Sequence, residues 1–381
     1  MLRRLLALTS VLALLMTTNA VATASSPEST GDVGAQATGK LLRDGTGLYP
    51  RAIRLSNGTI VASVVDFDAR GGVGVIYHST DNGANFRQVG AIHDQAASGG
   101  LCCTSLFELP HQIGTMPAGT LLWAASIGQN APNRRMTISL WRSPDRGVSW
   151  SYLSVCRVAH NTGGLWEPEL SVNAAGELVC HYSDETRQPQ FSQLLVETYS
   201  RDGIHWGTIY NTVASRTPGH RPGMPVVRRL NNGTWYMSYE ICGTGNQFDC
   251  AAYYRTSRDG GNWGDPALLG TMVRSRTNQY FTHAPTIAAV GGRLVMVGQQ
   301  LREANGAISG GSGRTVMVND QGGGGGWNSI GSPVAVPSPP NNYCPNYSSA
   351  LLPSVDGRSL LEIATDYDRN VCKPYYATGP M

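Results

Sequence analysis

Two glutamates stand out in apolar and aromatic surroundings: Glu167 in LWEPEL (residues 165–170) and Glu240 closing WYMSYE (residues 235–240). A pair of carboxyl groups facing each other across a cleft is the minimum equipment for hydrolysing a glycosidic bond. One protonates the departing oxygen, and the other attacks the anomeric carbon or activates a water. Trp166, beside Glu167, would desolvate it and raise its pKa, as an acid catalyst requires. Taken singly, a glutamate at a strand end is as well explained by a salt bridge or by solvent. Glu169 competes with Glu167 for the acid's role, because period-two alternation points both to one side of a strand. Arg51 and Arg221 would either pair with these acids or bind substrate hydroxyls, and Tyr182, Tyr343 and Tyr347 would either pack as aromatics or reach a ligand.

Other chemistries find little support. The sequence holds no GxSxG, no HExxH and no phosphate loop, and the glycine run QGGGGGW lacks a lysine partner. Lys and Arg number 29 against 26 Asp and Glu. That balance gives no electrostatic footprint for nucleic acid or an anionic membrane. No cysteine spacing resembles a zinc site, and neither metal nor cofactor is expected.

The elements that must position these acids announce themselves by repetition. STDNGANF (79–86) and SPDRGVSW (143–150) share the pattern SxDxGxxW or its Phe variant. SRDGIHW (200–206) and SRDGGNW (257–263) are one residue shorter, and VNDQGGGGGWNS (318–329) is a degenerate fifth copy. A second series, in phase with the first, has six members, each a turn ending in glycine followed by a β-rich run. Its glycines are Gly58, Gly119, Gly176, Gly233, Gly292 and Gly357, spaced 57 to 65 residues apart. Six hairpins at that interval predict an all-β protein, a six-bladed β-propeller of four-stranded antiparallel blades. The SxDxGxxW elements resemble the Asp-boxes of sialidase-like propellers. Their residues suit a turn: Ser and Asp hydrogen-bond its backbone, Gly takes a positive φ, and the aromatic packs between sheets.

The repeat also gives the polar residues a direction. Prolines at 50, 168, 225 and 285 stand seven or eight residues before the aligned glycine, where a strand starts. Arg51, Glu167, Met224 and His283 lie beside those starts. Asp66, Asp184 and Glu240 follow the glycine by seven or eight residues, at the end of the return strand. All should share one face of the ring with Tyr347, whereas Glu177 belongs to the opposite rim.

At the N-terminus, Arg3 and Arg4 precede an apolar run from Leu5 to Met16 and the small residues Ala22, Thr23 and Ala24. This predicts a secretory signal peptide over 1–24, a polar leader over 25–39, a catalytic domain over 40–381, and a secreted monomer. Eight cysteines in an exported chain predict disulfides, with Cys242 and Cys250 closing a short loop. Cys180 is either paired or a buried thiol. Asn57, Asn232 and Asn346 head glycosylation sequons by pattern alone.

At WEPELSVN, RPGMPVVRRLNNGTWYMSYE and CPNYSSALLPSVDG the chain resembles glycoside hydrolase family 93, the exo-α-1,5-L-arabinanases, over nearly all of its length after the leader. The resemblance implies retaining hydrolysis of linear arabinan from plant cell walls, with release of arabinobiose from the non-reducing end. It implies Glu167 as acid/base, Glu240 as nucleophile and Tyr347 as the nucleophile's neighbour. Arg51, Asp66, Trp166, Tyr182, Asp184, Arg221 and His283 are the expected substrate contacts. Family members often carry an apolar residue where Glu169 stands, so an exchange of roles between Glu167 and Glu169 stays open. Two alternatives compete with this reading: a sialidase, which needs three arginines and a tyrosine nucleophile, and a glycan-binding propeller without catalysis.

Overall fold

The computed structural model describes residues 37–381, so the signal peptide and most of the expected leader lie outside the described residues. The described chain forms six antiparallel sheets in a ring. Blade 1 runs through Leu48–Arg54, Ile60–Asp68, Gly71–Ser79 and Arg87–His93. Blade 2 starts at Leu101–Glu108, blade 3 at Leu165–Val172, blade 4 at Arg221–Arg229, blade 5 at Thr286–Val290 and blade 6 at Ala350–Pro353. Among the described residues, helix is confined to the short 3-10 turn Gln95–Gly99.

Each sheet is covered on both faces by its neighbours, and the sequence reflects it. The second strands of blades 2 and 3, Leu121–Ile127 and Leu178–Asp184, are buried at every position; the first reads as a nearly continuous apolar run, whereas the second buries His181, Ser183 and Asp184 as well. Each of the six blade-to-blade seams has its own apolar cluster. Val61 and Ile76 meet Trp123 between blades 1 and 2, and Tyr236 meets Ile287 between blades 4 and 5. Ile60 meets Ile363 between blades 6 and 1.

The aligned glycines sit in the turns between first and second strands, with φ of 84° at Gly119 and 79° at Gly176. In blade 5 the positive φ falls on Gly291 instead of Gly292. The Asp-boxes follow the third strands at this same rim, since Ile60 pairs with Ser79 and Leu178 with Ser200. Ser143 Oγ accepts the Gly147 N–H at 2.7 Å, and Asp145 accepts the Ser149 N–H at 2.9 Å. Gly203 shows why glycine is needed there: φ is 74°, and a Cβ would stand 2.6 Å from Met116 of the preceding blade. In the fifth copy Asn319 does the work of Ser and Asp, accepting the Gln321 and Gly323 N–H groups.

Blade 6 has no Asp-box because its fourth strand comes from the other end of the chain. Lys40–Leu41 pairs with Val371–Pro380, and Leu42 is buried behind it. The segment 37–39 is also tied down, with Thr38 N–H donating to the Ala335 carbonyl at 3.0 Å. Blade 4 departs from the four-strand plan. Its third strand, Ala251–Ser257, also pairs with Tyr280–Thr282, which in turn pairs with Gln300–Arg302.

All eight cysteines are bonded, as Cys102–Cys103, Cys156–Cys180, Cys242–Cys250 and Cys344–Cys372. The expected Cys242–Cys250 pair is present. Cys180 is not a free thiol, since it ties blade 3 to the outer strand of blade 2. Asn346 cannot carry a glycan in this fold: it is buried, and its amide donates to the carbonyls of Gly298 and Gln299.

Candidate active site

At the rim opposite the hairpin turns, every first strand enters the ring through a residue with positive φ. These are Tyr49, Cys103, Glu167, Met224, Ala284 and Ser348, with φ between 47° and 58°. In blades 1 to 4 the pairing register slips at this point. A left-handed non-glycine residue costs on the order of 1 kcal/mol or more, and persists only where its surroundings over-determine it. Proline follows in four of the six cases. Having no N–H, it loses no ladder bond at the irregularity.

This ring corrects the alternation argument for the acids. Trp166 pairs with Ser183 and Glu169 with His181, so two residues, Glu167 and Pro168, stand opposite Tyr182 alone. The bulge separates Glu167 from Glu169. Glu169 is buried, where it ion-pairs with Arg228 and accepts the Val227 N–H at 3.2 Å. Glu167 turns toward the ring centre, where Oε2 accepts the Ser183 hydroxyl at 2.6 Å and the Met224 N–H at 3.0 Å.

Glu240 comes from the second strand of the next blade, and its Oε2 accepts the Ala284 N–H at 2.7 Å. Gly223 lies between the two acids: it pairs with Glu240 in register, and a Cβ on it would be 3.6 Å from Glu167 Oε2. That Cβ would also stand 2.5 Å from Gln193 Nε2, so a larger residue here would displace the Gln193 amide. Tyr347 completes the group, its hydroxyl donating to Met224 Sδ at 3.6 Å and its ring 6.5 Å from that of Tyr49. Glu167, Glu240 and Tyr347 are each partly exposed, so a ligand can reach them.

The electrostatics couple the three groups. Burial, and then the Glu167 charge, push the Glu240 carboxyl up to about 8. Burial also raises Glu167, against the opposing hydrogen bonds from Ser183 and Met224. The Tyr347 phenol is raised well above its usual value by burial and by both acids, so it stays a hydrogen-bond donor.

The remaining expected residues divide. Arg221 lies beside the site, held by Glu185, by Ser192 Oγ at 2.9 Å and by Gln193 Oε1 at 2.8 Å. Trp166 is half-buried against the central cluster, under the Arg134 guanidinium at 5.2 Å. Arg51 is tied to blade 6 through the Ser348 carbonyl and hydroxyl, both at 3.0 Å. Asp66 is paired with Arg43 at 2.7 Å. Tyr182 and Asp184 do not join the two acids: Tyr182 is fully buried between blades 2 and 3, and Asp184, also buried, accepts the Thr186 N–H at 2.7 Å. His283 backs Glu240 beside the Cys242–Cys250 bridge, and burial lowers its pKa to about 4. Those sulfurs are bonded to each other, so this trio offers no thiolate to a metal. Tyr343 is exposed.

Three contributors carry no clear mark in the sequence. Glu185 neutralises Arg221, and against burial its carboxyl is held low by Arg221 and Trp166. It follows Asp184 directly, so the repeat points one residue short of it. Ser183 anchors Glu167 from the second strand, and Tyr49 fills blade 1's place in the ring; neither type carries a signal of its own.

No protein-family model matches the chain, and no curated protein matches it. Solved structures do. The α-L-arabinanase of Penicillium chrysogenum, complexed with arabinobiose, is similar over 91% of this chain and 99% of its own, at 24% identity and a TM-score of 0.75. The GH93 α-L-arabinofuranosidase of Fusarium graminearum, also complexed with arabinobiose, matches over 92% and 98%, at 20% identity and 0.73. A Hadza microbial sialidase matches over 90% and 68%, at 14% identity and 0.59. At these identities the likeness establishes a shared propeller fold.

Proposed function

We propose that the chain is an exported, monomeric, retaining exo-α-1,5-L-arabinanase of the glycoside hydrolase family 93 type. It would act on linear arabinan or arabino-oligosaccharides and release arabinobiose from the non-reducing end. The observation that carries this reading is the delivery of Glu167 and Glu240 by neighbouring blades to Gly223, which pairs with one and abuts the other. The fold around them is shared over nine-tenths of the chain with two proteins solved with arabinobiose.

In this reading Glu167 protonates the leaving oxygen while Glu240 attacks the anomeric carbon, giving a covalent glycosyl-enzyme. Glu167 then takes a proton from water, whose oxygen displaces Glu240. Tyr347, held as a neutral phenol, stands beside both acids. The surroundings of the two acids add a constraint, because Glu240 is pushed up to about 8 and has one donor, while Glu167 has two. With Glu240 ionised as nucleophile, the acid/base role needs the proton on Glu167; the reverse assignment, with Glu167 as nucleophile, is the second reading that the raised Glu240 carboxyl favours.

A sialidase is less well served. Arg51 is engaged with Ser348 and Arg221 with Glu185, and a third arginine in register is not evident in the sequence. The raised Tyr347 disfavours a phenolate nucleophile. Four disulfides favour an oxidising, extracellular setting.

The test is incubation with linear α-1,5-arabinan and, separately, with a sialoside. Arabinobiose as first product, with its anomeric configuration retained in early NMR spectra, supports the proposal. Sialic acid release, or no hydrolysis of either substrate, refutes it.

A further inference from the structure

One of the four disulfides has no stabilising task that a cross-link usually performs. Cys102 and Cys103 are adjacent in sequence, so their bond closes no loop and joins no two elements. The stabilisation expected from a disulfide grows with the length of the loop it closes, and here that length is minimal. Its position is the informative part. Cys103 occupies blade 2's place in the ring of positive-φ residues, next to Glu167's place in blade 3. It packs with Tyr49, Met224 and Ala284, drawn from three other blades, so these residues meet at the ring centre. Cys102, partly exposed, packs against the same cluster beside Trp166 and Tyr347.

We propose that the Cys102–Cys103 disulfide is the apolar wall of the sugar-binding subsite, taking the C–H face of a furanose ring next to the two acids. The inference rests on the arabinanase reading. A furanose presents hydroxyls at its edge and C–H groups on its face. The acids and the Tyr347 hydroxyl suit the edge, and a polarisable surface without strong donors or acceptors suits the face. Two free thiols would not serve as well. Each would rotate independently and bring an S–H donor into the pocket, whereas the bond fixes both sulfurs on a backbone already held at φ 57°. Bridging therefore preorganises the wall, and its contribution should appear in binding more than in stability.

The test is the double variant Cys102→Ser/Cys103→Ser, which keeps the size of each side chain and removes the bridge. Arabinobiose affinity is measured by calorimetry, steady-state kinetics on linear arabinan give KM and kcat, and thermal unfolding gives Tm. We expect Kd and KM to rise about tenfold, kcat to change by less than about threefold, and Tm to move by no more than about 2 °C. If the serine pair fails to fold, Cys102→Ala/Cys103→Gly repeats the test with a residue at ease at positive φ. Unchanged Kd and KM, or a fall in Tm with affinity intact, overturn this inference alone. Wild-type protein that neither binds arabinobiose nor hydrolyses arabinan overturns the arabinanase reading and, with it, this one.

Discussion

Glu167 owes its direction to a single extra residue in its strand. Without the bulge at Glu167 and Pro168, both glutamates of WEPEL would face one side, and nothing would distinguish the one that reaches the cleft. Glu167→Gln and Glu240→Gln are each expected to lower kcat on arabinan by roughly 10³-fold, within the usual range for acid–base and nucleophilic groups. Azide rescue of Glu167→Ala and Glu240→Ala separates the roles, since the variant lacking the nucleophile yields the inverted glycosyl azide and the variant lacking the acid/base the retained one. An inverted azide from Glu167→Ala would reverse the assignment. The pair must hold one proton to work, so kcat/KM should fall as pH rises through about 8, where Glu240 loses it. In Glu167→Gln, with the neighbouring charge gone, carboxyl NMR should find the Glu240 pKa lower than in wild type. No downward shift would mean that the two acids are not coupled.

Within blade 6, the strand Ser359–Asp368 carries a fully buried acid that the chemistry does not use. Glu362 Oε2 accepts the Ser332 hydroxyl and the Val334 N–H, while Oε1 has no partner, and burial raises its pKa to about 7. A folded-state pKa above the unfolded value contributes stability that is complete below about 4.5 and is lost as pH rises through about 7. Glu362→Gln should therefore raise Tm at pH 8.5 and leave it nearly unchanged at pH 4.5; a gain at both pH values would refute the linkage. How legible each device is in the sequence depends on how local it is. Asp-boxes and hairpin glycines are turns, with their chemistry written into a few consecutive residues, so blade count and rim follow from the sequence alone. The proline-marked strand starts give the right face for Glu167, Glu240 and Tyr347. Bulges are not local in that sense, because an extra residue shows only against the partner strand's register. Period-two reasoning therefore keeps Glu169 in contention, and counting from the turn glycine places Asp184 at a rim that its buried side chain does not line. Cysteine pairing is equally hidden, except for the short loop at Cys242 and Cys250.

For the molecule as a whole, the six seams are similar apolar contacts, but one depends on chain ends far apart in sequence. Deleting the residues up to Leu42 removes the fourth strand of blade 6 and a buried leucine, at a cost of about 2–4 kcal/mol. Tm should fall by roughly 3–6 °C with the catalytic residues untouched, and an unchanged Tm would show that the ring closes without this strand. The same strand sets a schedule for biosynthesis. It is among the first parts of the ring to leave the ribosome and among the last to find its place, since its partner, Val371–Pro380, is made far later in the chain. Until then blades 1 and 6 each keep an apolar face uncovered, so a nascent or truncated chain is a ready client for chaperones. Only a chain made through Val371–Pro380 can conceal both faces, which ties the covering of blades 1 and 6 to the synthesis of that one strand.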